Sequence, residues 1–211
     1  MYTKKGFTLI ELLVVIAIIG ILSSIVMVSL SGAKTKSRDS KRAADIRSIQ
    51  VALELYYTDY QMYPWNIYKS GGTTPPDMGL APNYLPVVPT DPSLSVDPAS
   101  VCAGAPTSNG CYSYVALRVG SPGLSCNGLG SNPYPTRYHI AAVFEDTSNK
   151  LLTQDVDSTA NANGFGACSN SNGGAGDFDG TSIGDSTSYR CTATAGTKQP
   201  NGTETCFDMT P

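Results

Sequence analysis

A single carboxylate lies at the edge of a long uncharged stretch near the start of the chain. Glu11 follows a short basic leader that contains Lys4 and Lys5, and the next 22 residues, Leu12–Ala33, carry no charged side chain. As a helix rising about 1.5 Å per residue, this stretch would span roughly 33 Å, enough to cross a bilayer. An ionised residue there costs about 2.5–3.5 kcal/mol, so we expect Glu11 to have a function and a partner of opposite charge.

The residues around Glu11 read as a processing signal. The segment Lys4–Leu12, Lys-Lys-Gly-Phe-Thr-Leu-Ile-Glu-Leu, resembles the cleavage site of type IV prepilins and type II secretion pseudopilins. The resemblance implies that a membrane prepilin peptidase cuts between Gly6 and Phe7, and that the new amino group of Phe7 is N-methylated. It also implies that Glu11 meets the Phe7 amine of a neighbouring subunit, a pairing that low dielectric favours once both charges are dehydrated. The alternative is a plain signal anchor.

The cysteines indicate disulfides. All six follow residue 101, no Cys-x-x-Cys pair occurs, and the chain has one histidine, so disulfides are favoured over zinc. Connectivity stays open, although short loops favour Cys102 with Cys111 and Cys191 with Cys206, which leaves Cys126 with Cys168. Each bridge would contribute about 2–4 kcal/mol. Disulfides also favour a location outside the cytoplasm for the part of the chain that carries these cysteines.

Two pairs of aspartates could bind calcium. Asp155 and Asp157, and likewise Asp177 and Asp179, stand two residues apart in predicted loops, where their carboxylates face the same way. Asp beside Gly more commonly forms a turn, and the twelve-residue EF-hand spacing is absent. We therefore interpret these aspartates as turn formers and expect no cofactor, with calcium as the alternative.

The sequence does not predict an enzyme. His139 lies in a predicted strand, and no Gly-x-Ser-x-Gly elbow accompanies it, so we interpret it as structural. The chain also lacks a P-loop, a dinucleotide fingerprint and a His-Glu-x-x-His sequence.

The predicted domains follow from composition. Residues 1–6 are a cleaved leader, 7–33 a transmembrane or filament-core helix, 34–63 an amphipathic continuation of that helix, and 64–211 a globular head. No proline occurs between Phe7 and Pro64, so the helix continues to about Tyr63. Apolar residues at three- and four-residue steps predict the face that packs on the head: Ile46, Ile49, Leu53, Tyr56, Tyr57 and Tyr60.

The head is predicted as a proline-rich loop followed by a sheet. The loop, 64–111, is too apolar for a free linker and should be ordered. Its segment Tyr84–Pro92, followed by Tyr112-Ser113-Tyr114, resembles the loop-then-strand entry of the major-pseudopilin head. In 112–211, alternation predicts strands at Tyr112–Val119 and Tyr138–Glu145. A turn at 146–150 then suggests a hairpin to a strand at 151–153, and short strands are expected near Ser188–Thr192 and Cys206–Met209.

Charge is distributed unevenly. The basic neck, residues 34–47, holds six basic and two acidic residues (+4), whereas residues 48–211 hold six basic and 14 acidic residues (−8). One hypothesis is that necks contact the acidic heads of neighbouring subunits. A DNA-binding stripe is the alternative, but the acidic head would repel phosphate, so we do not expect nucleic acid as a partner.

These observations predict an α+β protein, a long N-terminal helix packed on a small antiparallel sheet, that serves as the structural subunit of a type IV pilus-like filament. A major pseudopilin of type II secretion and a minor pilin with a ligand-binding head are the alternatives. The precursor is expected to be a single-pass cytoplasmic-membrane protein with its head outside, and the product an extracellular filament. The expected partners are prepilin peptidase, the membrane assembly machinery and other copies of the chain.

Overall fold

One long helix and a small antiparallel sheet make up the part of the chain that the structure describes. The computed structural model describes residues 9–69, 72, 74–94, 102, 110–119, 134–154, 165–167 and 205–211. They form helix α1 (Leu9–Tyr60) and strands β1 (Ser113–Val119), β2 (Arg137–Val143), β3 (Phe165–Ala167) and β4 (Cys206–Met209). The predicted α+β class is confirmed. Contacts divide the chain into two units, residues 1–37 and residues 38–211.

Helix α1 runs without a break through the apolar stretch and the basic neck, as predicted. It ends at Tyr60, because Gln61 adopts a left-handed conformation with φ of 56°. The amide of Gln61 still donates to the carbonyl of Tyr57 at 2.8 Å, which satisfies one of the last open carbonyl groups. Pro64 then prevents the helix from resuming.

The core of the second unit lies between α1 and one face of the sheet. Ile46, Ile49, Leu53 and Tyr56 are completely buried, which confirms the predicted apolar stripe. Tyr57 and Tyr60 are partly buried at its edge. The sheet contributes alternate residues of its strands: Tyr112, Tyr114, Ala116, Tyr138, Ile140, Ala142 and Phe207.

The sheet has the order β3-β1-β2-β4, and every neighbouring pair is antiparallel. In the register Tyr114 lies opposite Ile140, and Val115 lies opposite His139. The second face therefore carries a separate buried cluster, made of Val115, Leu117, Ala141, Val143 and Cys206. The predicted alternation of both long strands is confirmed, and each predicted end lies within two residues of the observed one.

The proline-rich loop is ordered where it is described. Ile67 and Leu80 are completely buried, and the amide of Leu80 donates to the carbonyl of Ile67 at 3.1 Å. Tyrosine hydroxyls from the core bond to two proline carbonyls of this loop. Tyr114 donates to the Pro64 carbonyl at 2.7 Å, and Tyr68 donates to the Pro89 carbonyl at 3.0 Å.

The predicted hairpin after β2 is wrong. Residues Lys150–Thr153 form a short 3-10 helix, and β2 pairs with β1 and β4 instead. Local side-chain bonds decide this conformation: Asn149 accepts from the amide of Leu151 at 3.1 Å, and Asp146 accepts from the amide of Ser148 at 3.0 Å. Such bonds compete with a strand ladder for the same backbone groups.

Two of the observed strands are short, and the sequence predicted only one of them. The short strand expected near Cys206–Met209 is confirmed as β4. β3 has three residues, Phe165–Ala167, and too few positions to give a periodic signal. The predicted strand near Ser188–Thr192 lies outside the described residues.

Candidate assembly site

The first unit presents an apolar helix surface. From Leu9 to Ile25 the large aliphatic side chains are 48–82% exposed, and none of the most apolar 18-residue window is buried. This helix is the one in the described part of the chain that is long and apolar enough to cross a membrane. Apolar patches of this extent require lipid or protein to cover them.

Glu11 lies in the first turn of α1, with an exposed side chain among these aliphatic residues. Leu9 and Ile10, its neighbours in the chain, are 82% and 70% exposed. The structure therefore places the carboxylate on an apolar surface, as predicted. Gly6 and Phe7 lie outside the described residues, so the cleavage site and the pairing with Phe7 stay predictions.

The second unit begins with a feature that the sequence analysis missed. We define the buried charge cluster as Arg38, Asp39, Arg42, Asp91 and Glu145. Arg42 is completely buried, and its guanidinium donates to both carboxylate oxygens of Asp91 at 2.7 and 2.9 Å. It also donates to Asp39 at 2.6 Å and to Glu145 at 2.8 Å. Three segments, the helix, the loop and the end of β2, thus meet at one cation.

The acidic members of this cluster have further partners. Asp39 accepts from the amides of Glu145 and Asp146 at 3.0 and 2.9 Å. Arg38 donates through Nε to Glu145 at 2.7 Å and forms a second bond to the same carboxylate through Nη2. Ionised groups out of water need such multiple hydrogen bonds to offset their lost hydration.

These contacts shift the acid–base equilibria of the cluster. Hydrogen bonds from Arg38, and then from Arg42 and Ser93, lower the pKa of Glu145 to about 2, although burial opposes the change. Burial alone would lower the pKa of Arg42, but hydrogen bonds and charge from Asp91, with further bonds to Glu145 and Asp39, raise it above its ordinary value. Glu145 and Arg42 are therefore both ionised at neutral pH.

The cluster also changes the interpretation of the basic neck. Arg38 and Arg42 neutralise carboxylates of their own head and are not available to the heads of neighbouring subunits. The other four basic residues of the neck remain exposed: Lys34, Lys36, Lys41 and Arg47. The neck-to-neighbour hypothesis therefore applies only to the residues outside the cluster, and it stays a prediction.

Tyrosine hydroxyls join α1 to the sheet and the loop. Tyr112 is buried, and its hydroxyl donates to Asp45 on the helix at 2.7 Å. Burial and the charge of Asp45 raise the pKa of Tyr112. Tyr63 and Tyr138 donate to Glu54 at 3.2 and 3.4 Å. Tyrosine is abundant because many of these residues lie between α1, the sheet and the loop, where their rings pack and their hydroxyls bond to polar groups.

The structure places His139 in a structural environment. Both His139 and Asp208 are completely buried, and His139 Nε2 lies 2.6 Å from Asp208 Oδ2. The pair joins β2 to β4 across the second face of the sheet, where no substrate could reach it. The structural interpretation of His139 is therefore supported, and Asp208 is a partner that the sequence did not reveal.

The cysteines and aspartates are only partly described. Cys102 and Cys111 form a disulfide, which is the local pairing that the sequence favoured. Cys206 is also disulfide-bonded. Cys126, Cys168 and Cys191 lie outside the described residues, as do the calcium candidates Asp155, Asp157, Asp177 and Asp179. Within the described part of the chain, no group of acidic, histidine or cysteine residues is arranged to hold a metal ion.

Substitution of Asp91 by Asn should strongly destabilise the head. The change leaves the buried Arg42 without its bidentate partner, and breaking a buried pair costs about 3–5 kcal/mol. Urea unfolding of the full chain in detergent, followed by Trp65 fluorescence, measures this loss. Lys41→Gln is the control, because Lys41 forms an exposed pair with Asp45 at 3.7 Å that is worth at most about 1 kcal/mol. Equal effects of the two variants would contradict a structural role for the cluster.

The stability of the head should fall in acid because of Glu145. Its folded pKa of about 2 lies below the ordinary 4.5, so its contribution is complete above pH 4.5 and is lost as the pH falls towards 2. The full shift corresponds to about 3 kcal/mol at most. Glu145→Gln should lower the urea midpoint at pH 7 and reduce its decline between pH 5 and 3, whereas an unchanged decline would contradict the assignment.

Comparison with known proteins identifies relatives of the chain. A family model described as the prokaryotic N-terminal methylation motif matches residues 1–27. Type II secretion system core protein G of Dickeya chrysanthemi is 36% identical over 96 residues, which cover 42% of this chain and 63% of that protein. The Escherichia coli protein of the same name is 44% identical over 61 residues, which cover 29% of this chain and 42% of that protein. No solved structure matches the chain.

Several of these matches cover less than two thirds of the relative's length, including 63% for the Dickeya protein and 40% for that of Pectobacterium carotovorum. The core protein G of Klebsiella michiganensis is matched more completely, with 35% identity over 97 residues that cover 43% of this chain and 68% of that protein. The N-terminal motif, the long apolar helix and the small antiparallel sheet agree with these matches. The chain therefore belongs to the pilin and pseudopilin family, in the group of type II secretion system core protein G.

Proposed function

We propose that the chain is a structural subunit of a type IV pilin-like filament, and specifically a major pseudopilin of a type II secretion system. In this proposal prepilin peptidase removes residues 1–6, Phe7 is methylated, and membrane machinery assembles the subunits. The head lies outside the cytoplasm before assembly. We propose no catalytic activity for it.

The exposed apolar surface of the first unit carries this proposal. Large aliphatic side chains from Leu9 to Ile25 surround the helix and are about half or more exposed. In the precursor, lipid covers them. Removal from the membrane leaves the same surface without cover, and the helices of other copies are apolar partners of matching length. A tethered monomer would never need to leave the lipid.

In this proposal Glu11 fixes the axial position of one helix against the next, which hydrophobic packing alone leaves undefined. Hydrophobic packing between smooth helices does not fix one axial position, whereas a charge pair does. Cleavage after Gly6 would create an ammonium group on Phe7, and methylation would preserve its charge. The carboxylate of one copy then specifies the position of the next.

The relatives favour a secretion pseudopilin over a surface pilus. Those cited are named core protein G of type II secretion systems. The sequence analysis instead placed a pilus-like filament subunit first and a major pseudopilin among the alternatives, because the residues around Glu11 resemble both kinds of protein. We therefore adopt the pseudopilin as the proposed function.

Replacement of Glu11 by Ala should separate processing from assembly. The variant removes the charge partner but leaves the apolar helix and the residues at the cleavage site. We expect normal cleavage and at least a tenfold loss of sheared filament. Mass spectrometry of the N-terminus and quantitation of sheared fractions measure the two effects. Ser24→Ala is the control, because it changes a polar side chain of the same exposed helix that bonds only to the carbonyl of Ile21. Normal filament yield from Glu11→Ala would overturn the assembly mechanism.

The second half of α1 offers a further contact between copies. Val51 and Leu55 are 62% and 51% exposed, stand one helical turn apart, and line an open groove of about 600 Å³ with Arg47 and Glu54. We propose that this groove receives the apolar helix of a neighbouring copy, because exposed aliphatic residues are otherwise scarce among the described residues of the second unit.

The double variant Val51→Ser/Leu55→Ser should therefore reduce filament yield several-fold. Exposed substitutions change stability by only about 0.5 kcal/mol, so the head should remain folded. Val87→Ser is a matched control, since Val87 is also 62% exposed but lies on the loop. Equal yields for the two variants in sheared fractions would show that the groove is not an interface.

A further inference from the structure

We propose that the Cys102–Cys111 disulfide is a latch that closes before the head packs on the second half of α1 and then stabilises that packing, and that a disulfide-bearing thiol oxidase outside the cytoplasm closes it. The bond would act by positioning Asp91 for Arg42. This inference concerns the maturation of the single chain, and it holds whether or not the chain polymerises.

The first connection runs from the disulfide to the buried charge cluster. Cys111 follows Gly110 directly, and the carbonyl of Gly110 accepts from the amide of Asp91 at 2.8 Å. Gly110 has a φ of 85°, which suits glycine. Its carbonyl therefore fixes the backbone of the residue whose carboxylate binds Arg42 at 2.7 and 2.9 Å. Cross-linking of Cys111 restrains that carbonyl.

A second set of hydrogen bonds connects the neighbours of the disulfide to the loop and to α1. Tyr112, which follows Cys111, donates its amide to the Tyr68 hydroxyl at 2.9 Å and its own hydroxyl to Asp45 on α1 at 2.7 Å. Asn66 donates to the carbonyl of Cys102 at 3.5 Å. The cross-link is thus tied to the loop, to the start of β1 and to the helix.

The position of Asp91 matters for packing because packing buries the charge of Arg42. The side chain is completely buried in the packed head, and a buried guanidinium is tolerated only when its carboxylates are already in place. If the segment around Gly110 is free to move, Asp91 is not held, and packing would bury an incompletely paired cation. The disulfide removes that freedom before the helix packs.

Burial of the cysteines fixes the order of events. Cys102 and Cys111 are both completely buried, so no oxidase could reach their sulfur atoms in the packed head. Exchange must therefore precede packing. The thiolate of one cysteine attacks the disulfide of the oxidase and forms a mixed disulfide, and the displaced oxidase sulfur takes up a proton. The second cysteine loses its proton, attacks the first and releases the oxidase as a dithiol, so two electrons and two protons pass to the oxidase.

A double-mutant cycle tests the connection to Arg42. The shift in urea midpoint caused by Asp91→Asn is measured in the full chain in detergent, with and without Cys102→Ala/Cys111→Ala. We expect the shift to be at least twofold smaller without the disulfide, because Asp91 is then no longer held. Lys41→Gln should give the same small shift in both backgrounds. An equal shift for Asp91→Asn in both backgrounds would overturn the latch.

The order of events is tested in the unaltered chain, so a failure of the double alanine variant to fold does not affect it. The reduced, unfolded chain is transferred to oxidised glutathione, a small disulfide donor, and samples are taken over time. One part of each sample is denatured in urea and alkylated at once, so that buried thiols also react, and mass spectrometry of the peptides that carry Cys102 and Cys111 follows the bond. Limited proteolysis of the other part, kept native, follows packing. We expect the bond to form before protease resistance. A protease-resistant head with both thiols alkylatable would overturn the proposal.

Discussion

The buried guanidinium of Arg42 imposes the constraint on which the second unit depends. A cation without water must be surrounded by acceptors, and the chain brings these from three distant segments: Asp39 on the helix, Asp91 on the loop and Glu145 after β2. None of these segments can shift without leaving a buried charge unpaired. Hydrophobic packing alone would tolerate small slips of the helix over the sheet, whereas this cluster selects one arrangement.

The two units differ in the side chains that they bury and expose. In the second unit most of the buried polar side chains have partners, although the hydroxyl of Tyr56 has no hydrogen-bond partner among the described residues. Other tyrosines, such as Tyr112 and Tyr114, combine ring packing with hydroxyl donors. In the first unit the large aliphatic side chains from Leu9 to Ile25 are exposed. A helix with that surface is stable only in an apolar environment, first lipid and then, in the proposed filament, other copies. Glu11 is a polar exception within this surface, and its role in assembly is part of the proposed function.

Local patterns predicted much of this architecture. The absence of proline predicted the long helix, and steps of three and four residues predicted that Ile46, Ile49 and Leu53 would be buried. Alternation predicted both long strands. These signals succeed because periodicity is a property of neighbouring residues. The prediction of a hairpin after β2 was wrong because the local signal is ambiguous. Asn149 can cap a 3-10 helix as readily as it can form a hairpin turn, and the strand that pairs with β2 at that edge is β4.

By itself, the sequence determined that the chain carries an N-terminal methylation motif, an apolar helix with one carboxylate at its edge, and a head that holds all six cysteines. Only the tertiary structure decided which charges of the neck are internal. Arg42 looked like any solvated helix residue, because its partners Asp91 and Glu145 are 49 and 103 residues away in the chain. The same holds for His139 and Asp208, which are 69 residues apart. Such pairings depend on the packing of distant segments, and no spacing in the sequence records them.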